Sequence, residues 1–134
     1  MAKIGVVFLD VGGTLGRVDA KLQLHPFATT KNLLLSLGGA LGLRLGVISN
    51  VPLGMHGPEL KILLDQAGML SYFDERLVIA STDAGTRKPA PAIYKYAVSL
   101  AGVAIDQCMY IGDENDQVNG AIAAGMTGVL NPVP

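Results

Sequence analysis

Phe8-Leu9-Asp10-Val11-Gly12-Gly13-Thr14-Leu15 is the stretch from which the rest of the chain is read, because it releases an aspartate from the end of an apolar run into a glycine-rich turn. The run itself, residues 4–9, is short, rich in β-branched side chains and almost continuously apolar. That composition suits a strand covered on both faces in a parallel sheet, where neither face meets water. Residues 45–48 repeat the character before Ser49-Asn50, residues 77–80 before Ser81-Thr82-Asp83, and residues 109–111 before Gly112-Asp113. Residues 127–130 are predicted as the last strand.

Between these runs, residues 28–37, 59–67, 92–101 and 118–124 carry apolar side chains at helical spacing, and Gly68, Gly102 and Gly125 stand where helix C-terminal glycines belong. Strand and helix therefore alternate. The alternation implies right-handed crossovers and a three-layer, Rossmann-like α/β fold: a doubly wound parallel sheet in one domain, residues 1–134. Ligands of such sheets bind beyond the carboxyl ends of the strands. Residues 16–25 lack a helix pattern and are predicted to form a small hairpin or flap over that edge, and residues 131–134 carry no tail motif.

The bulk properties narrow the function. Half of the 134 residues are apolar, enough for one ample core. A net charge of −1 without long basic runs gives no footprint for nucleic acid or an anionic membrane. The apolar stretch at residues 33–48 is interrupted by Gly38, Gly39, Gly42, Arg44 and Gly46 and does not read as a membrane span. A single cysteine, Cys108, and no charged-then-apolar leader make a cytoplasmic location the default expectation.

Four polar sets follow four predicted strands: Asp10 with Thr14, Ser49 with Asn50, Arg87-Lys88-Pro89, and Asp113 with Glu114 and Asp116. In a parallel sheet they converge on one edge. A carboxylate beside a divalent cation can attack phosphorus, hydroxyls and backbone amides can hold phosphoryl oxygens, and a lysine can balance the accumulating charge. A second acidic loop can complete an oxygen-rich magnesium site. These are the parts of a phosphoaspartyl phosphatase.

In this order and spacing the four sets resemble the motifs of the haloacid dehalogenase superfamily over nearly the whole chain: residues 8–15 its first, Val47-Ile48-Ser49-Asn50 its second, Arg87-Lys88-Pro89 its third and Tyr110-Ile111-Gly112-Asp113 its fourth. The resemblance implies Asp10 as nucleophile and magnesium ligand, and Lys88 as the catalytic lysine that balances it. It implies Thr14, Ser49, Asn50 and Lys88 around the substrate phosphate, and Asp10, the Gly12 carbonyl, Asp113 and Asp116 around Mg2+.

Two positions depart from that family's pattern. Phosphatases of the family usually carry an aspartate two residues after the nucleophile as general acid and base, and this chain has Gly12 there. Glycine cannot shuttle a proton, and general acid–base help is worth roughly 10² to 10⁴ in rate, about 3 to 5 kcal/mol. In the last acidic loop, Gln117 and Val118 occupy the positions of a further family aspartate; Asp116 comes one residue early, and Glu114 competes for the same role. His25 and Asp19, in the predicted flap, are the substitutes for the missing acid that the sequence offers. His56 reads as a loop residue, Arg87 as a surface charge, and Cys108, Tyr94 and Tyr96 as packing.

The resemblance further implies a capless member, because each interval between motifs is nearly consumed by one loop or flap, one helix and one strand. An open site of this kind would take a phosphorylated small molecule or a larger substrate that covers it, or be completed by a second subunit in a homo-oligomer. The expected function is a weak or specialised magnesium-dependent phosphohydrolase acting on a phosphate monoester. The competing expectation is a binding or regulatory module that keeps the pocket without efficient turnover. A sugar-kinase phosphate loop would need a chain more than twice as long, glycines 12, 13 and 16 lack dinucleotide-loop spacing, and no arginine or aromatic side chain replaces Gly12 to build a halide site.

Overall fold

The computed structural model describes residues 3–131, and the last three positions of the motif-free tail lie outside them. Its centre is β1 (Val6–Leu9), flanked by β4 (Arg44–Ser49) and β6 (Cys108–Gly112), with β5 (Val78–Ala80) and β7 (Thr127–Leu130) at the edges; the order is β5-β4-β1-β6-β7 and every pairing is parallel. A separate antiparallel hairpin, β2 (Gly16–Val18) with β3 (Leu24–Pro26), occupies the predicted flap.

Successive side chains of a strand point to opposite faces, and β1 shows why its run is apolar throughout. Val7 and Leu9 join one core with Leu34, Leu60 and Leu64 of α1 (Thr30–Leu34) and α2 (Gly57–Gln66). Val6 and Phe8 join a second with Ile93, Tyr94 and Ala121 of α4 (Pro91–Ala101) and α5 (Asn115–Ala124). The sequence therefore leaves β1 no polar face to offer. Because the chain first builds outward from β1 through β4 to β5 and then returns to β6, the sheet reverses its winding at β1. That reversal opens a crevice at the carboxyl ends of β1, β4 and β6.

Local structure departs from the sequence reading in two places. The helix expected over residues 28–37 is a single α-helical stretch, Thr30–Leu34, that widens into a π-helical turn, Leu35–Ala40; Gly38 and Gly39 fall in it and lower its preference for regular α-geometry. Ser81-Thr82-Asp83, read as a polar strand end, forms a one-turn helix, α3 (Ser81–Ala84), closed by Gly85 at φ 71°. Among the described residues no helix is long and apolar enough to cross a membrane.

Cys108 is fully buried, and burial pushes its thiol up to about 11. A thiol must ionise and be reached before it reacts. Native protein at pH 8 is expected to leave an aromatic disulfide reagent unreacted while denatured protein reacts at once, as followed by absorbance. Equal rates would show that β6 is not the closed strand described.

Candidate active site

Asp10 follows directly on β1, and its backbone N–H still donates to Ile111 across the sheet at 3.0 Å. The chain then turns tightly, with Leu15 N–H donating to Val11 O at 2.9 Å and Gly13 N–H to Gly16 O at 2.9 Å. Gly13 has φ +83°, and a Cβ there would overlap the Asp113 carboxylate, so the turn lets two carboxylates approach only because position 13 lacks a side chain.

The centre is an ion pair. Lys88 Nζ donates to Asp10 Oδ1 at 2.9 Å, and its side chain is 0% exposed. Burial pulls the ammonium below its usual range, against the Asp10 charge that favours protonation. A second bond runs from Nζ to the Tyr110 hydroxyl at 2.8 Å, and that hydroxyl donates on to Gln117 Oε1 at 3.3 Å. Tyr110 is fully enclosed, its phenol is pushed well above the usual value by burial and then by Asp10, and it meets Tyr94 edge to face at 5.7 Å between ring centroids. Asp10 Oδ1 also accepts Val11 N–H at 2.8 Å, so both N–H hydrogen bonds that the described residues give this carboxylate fall on Oδ1 and none on Oδ2.

Asn50 fixes the lysine from the neighbouring strand end. Its Nδ2 donates to Lys88 O at 3.0 Å and its Oδ1 accepts Lys88 N–H at 2.9 Å. Both ends of that amide bond the Lys88 backbone, so Asn50 positions the lysine while it also lines the cavity. Thr14 does not line the cavity: it is buried and donates to Asp113 Oδ1 over a long 3.4 Å. Ser49 does reach the cavity, and its hydroxyl makes no hydrogen bond with the described residues.

Asp113 stands beside Asp10. Burial first, and then the negative charge of Asp10, hold its carboxyl above the usual range. These two adjacent carboxylates, with the Gly12 backbone at the cavity wall, form an oxygen donor set suited to a magnesium ion, which keeps several waters and needs few protein ligands. The third acidic ligand is not assembled: among the described residues no three His, Cys, Asp or Glu side chains converge on one point. Asp116 lies exposed in the first turn of α5, away from the cavity, whereas Glu114 lines it and accepts Gln117 Nε2 at 3.0 Å.

The cavity over these groups has a volume of about 360 Å³. Residues 15–130 match the family described as haloacid dehalogenase-like hydrolase. The chain belongs to that family. It is 36% identical over 118 residues to haloacid dehalogenase-like hydrolase domain-containing protein 3 of Xenopus laevis, covering 82% of this chain and 45% of that one. It is 33% identical over 131 residues to a phosphoglycolate phosphatase of Pseudomonas putida, covering 91% and 46%. The chain therefore spans about half the length of these haloacid dehalogenase-like relatives. A phosphatase of the superfamily from Thermococcus onnurineus superposes with a TM-score of 0.67 at 30% identity over 80% of this chain and 46% of that one. The L-2-haloacid dehalogenase of Xanthobacter autotrophicus shares the fold, with a TM-score of 0.75 at 16% identity over 92% and 75%.

Several placements in this haloacid dehalogenase-like core run against the sequence reading. His25 and Asp19 bind one another at 2.8 Å on the outside of the hairpin, and neither lines the cavity. The hairpin does lean over the site, but with Val18 and Leu22. His56 bonds Asp83 at 2.8 Å, whose other oxygen accepts the Gly57 N–H at 2.7 Å and so caps α2. Arg87 is exposed, as the surface reading expected, and it also lines the cavity and makes no side-chain hydrogen bond with the described residues. Tyr110 reads in the sequence only as part of the fourth motif and Gln117 only as the position of a missing aspartate; their hydrogen-bonded chain behind Lys88 carries no sequence signal beyond strand alternation and the Glu114–Gln117 spacing.

Lys88→Met is expected to destabilise the protein by about 3 to 5 kcal/mol in denaturant unfolding, because it leaves a mostly buried carboxylate and the Tyr110 hydroxyl without their cation. A loss within about 0.5 kcal/mol would show that the pair is dispensable to the fold.

Proposed function

We propose that the protein is a magnesium-dependent phosphohydrolase that acts on a phosphate monoester through an aspartyl-phosphate at Asp10. The observation that carries the reading is the asymmetric Asp10 carboxylate at the cavity wall: Oδ1 is fixed by Lys88 and Val11 N–H, and Oδ2 accepts no N–H from the described residues. A carboxylate held in that way is aimed, and its attack on phosphorus forms the Oδ2–P bond while the ester oxygen departs with its electron pair.

Lys88 holds Asp10 in place through its ion pair and offsets negative charge as the phosphoryl group arrives. The free Ser49 hydroxyl is placed to donate to a phosphoryl oxygen, and Arg87 to meet a second one or an anionic part of the substrate. Asn50 and Tyr110 act on the substrate only through Lys88, by fixing its backbone and its ammonium. Asp10 and Asp113, with the Gly12 carbonyl, are the residues that would hold Mg2+, and Thr14 orients Asp113 toward it. Bound there, the ion would neutralise the two carboxylates and draw charge off the phosphoryl oxygens. The intervals between β1 and β4 and between β4 and the Lys88 loop hold only the hairpin, short helices and β5, which supports an open, capless site.

Gly12 decides which esters are served. The residue is exposed, and a Cβ there would meet only Val18 Cγ2 at 3.8 Å, so a side chain at this position is sterically permitted. The chain lacks the proton donor for chemical rather than spatial reasons, and the same absence favours the second reading, a phosphate-binding module with slow turnover.

With Mg2+ and p-nitrophenyl phosphate, whose leaving group needs no proton, nitrophenol release is expected from the native protein and not from Asp10→Asn. Release unchanged in the variant would contradict the nucleophile assignment, and no release from either would leave the binding module as the better account. Gly12→Asp is expected to raise turnover of an alkyl phosphate at least tenfold with little effect on unfolding temperature. Unchanged turnover would show that proton donation is not what limits the native site.

A further inference from the structure

The cavity has two unlike sides. Asp10, Ser49 and Arg87 line one, and the other is formed by Val18 and Leu22 of the hairpin with Met55, Leu60 and Leu63 beside α2. Leu22 stands out among them. It is the one described non-glycine residue with a positive φ, 59°, and it is 45% exposed. The left-handed region crowds a Cβ and is occupied cheaply by Gly or Asn.

The turn around Leu22 is already secured without it. Asp19 Oδ1 accepts the Lys21 and Gln23 N–H groups at 2.9 and 3.0 Å, and Asp19 N–H donates to Gln23 O at 3.0 Å. A strained, solvent-facing leucine in a turn that a smaller residue would fold better is explained by what it touches in the cavity.

The chemistry at the other side selects the same kind of ligand. No proton donor stands at Gly12, the Glu114 carboxylate is engaged by Gln117, and the Tyr110 hydroxyl lies enclosed behind Lys88. With no carboxyl side chain at position 12 to donate a proton, esters whose oxygen can leave as an anion are favoured. A phenol-type hydroxyl ionises near pH 10, whereas an alkoxide is about as basic as hydroxide and leaves far less readily.

We propose that this site recognises a phosphate carried on an aromatic ring, with Leu22 and the α2-side residues forming the ring pocket and Leu22 as its specificity-determining contact. The inference rests on the phosphohydrolase reading for its chemical step only. In that step the Asp10 Oδ2–P bond forms, the P–O(aryl) bond breaks, and the electron pair leaves on a resonance-stabilised phenolate that takes its proton from water.

The test pairs binding with turnover. Calorimetric titration in magnesium buffer compares phenylphosphonate with methylphosphonate, neither of which can be hydrolysed. The phenyl compound is expected to bind at least tenfold tighter, and Leu22→Asn to shrink that ratio below threefold while the unfolding temperature holds or rises. Equal affinities, or a ratio unmoved by Leu22→Asn, would overturn the ring pocket.

In parallel, phenyl phosphate is expected to turn over at least a hundredfold faster than ethyl phosphate in kcat/KM. Comparable rates would overturn the leaving-group argument. Ring-selective binding with no turnover of either ester would support the pocket and contradict the hydrolase reading, so the two failures are distinguishable.

Discussion

A lysine ammonium enclosed completely by protein is tolerated only beside a charge that balances it, and the contact between Lys88 and Asp10 is the constraint around which this molecule is arranged. The two residues are 78 positions apart, and they meet because β1 lies at the sheet centre and the Lys88 loop crosses the ends of β4 and β6. Its supports are distributed accordingly. Asn50 at the end of β4 grips the lysine backbone, and Tyr110 in β6 receives its ammonium, so three neighbouring strands fix one nitrogen. Changing strand order would separate the pair, and separating the pair would leave two buried charges unpaired.

The pair also sorts the oxygens of Asp10. With Oδ1 engaged, Oδ2 faces a neighbourhood in which Asp113 is the nearest acidic group and in which like charge is raised rather than dispersed. That is an unfavourable arrangement in itself, and it is reached through a specific device: Gly13 in the left-handed region, with no Cβ to hold the two loops apart. A cation between the carboxylates would relieve the repulsion that the backbone has imposed. At Gly12, one residue earlier, the backbone has an ordinary conformation and space for a side chain, so the two adjacent glycines serve different ends.

Most of the architecture was legible in the sequence because buried parallel strands leave a direct compositional mark, as in the unbroken apolar run of β1, and because Gly102 and Gly125 closed α4 and α5 where expected. Residues 28–40 were harder, since leucines at helical spacing do not report that paired glycines will widen the turn. In the site, sequence order was enough to bring Asp10, Ser49, Lys88 and Asp113 to one sheet edge. It was insufficient for side-chain direction: Thr14 and Asn50 stand in the expected loops, yet their hydrogen bonds go to Asp113 and to the Lys88 backbone. The sequence reading preferred Asp116 to Glu114 at the metal, whereas the start of α5 places Glu114 at the cavity and leaves Asp116 exposed outside its lining. His25 was drawn away from the cavity by Asp19, a cross-hairpin partner that becomes visible only when β2 and β3 pair.

The central claim is that Asp10 takes the phosphoryl group onto its own side chain. Without a proton shuttle at position 12 the breakdown of that acyl phosphate would be slowed, and the intermediate would accumulate during the first turnover. Rapid acid quenching after mixing with magnesium and acetyl phosphate, followed by peptide mass analysis, tests this most directly. The account requires one phosphoryl increment on the peptide that contains Asp10, rising and then persisting. Phosphate release without any phosphorylated peptide at any quench time, or an increment on a different peptide, would contradict it.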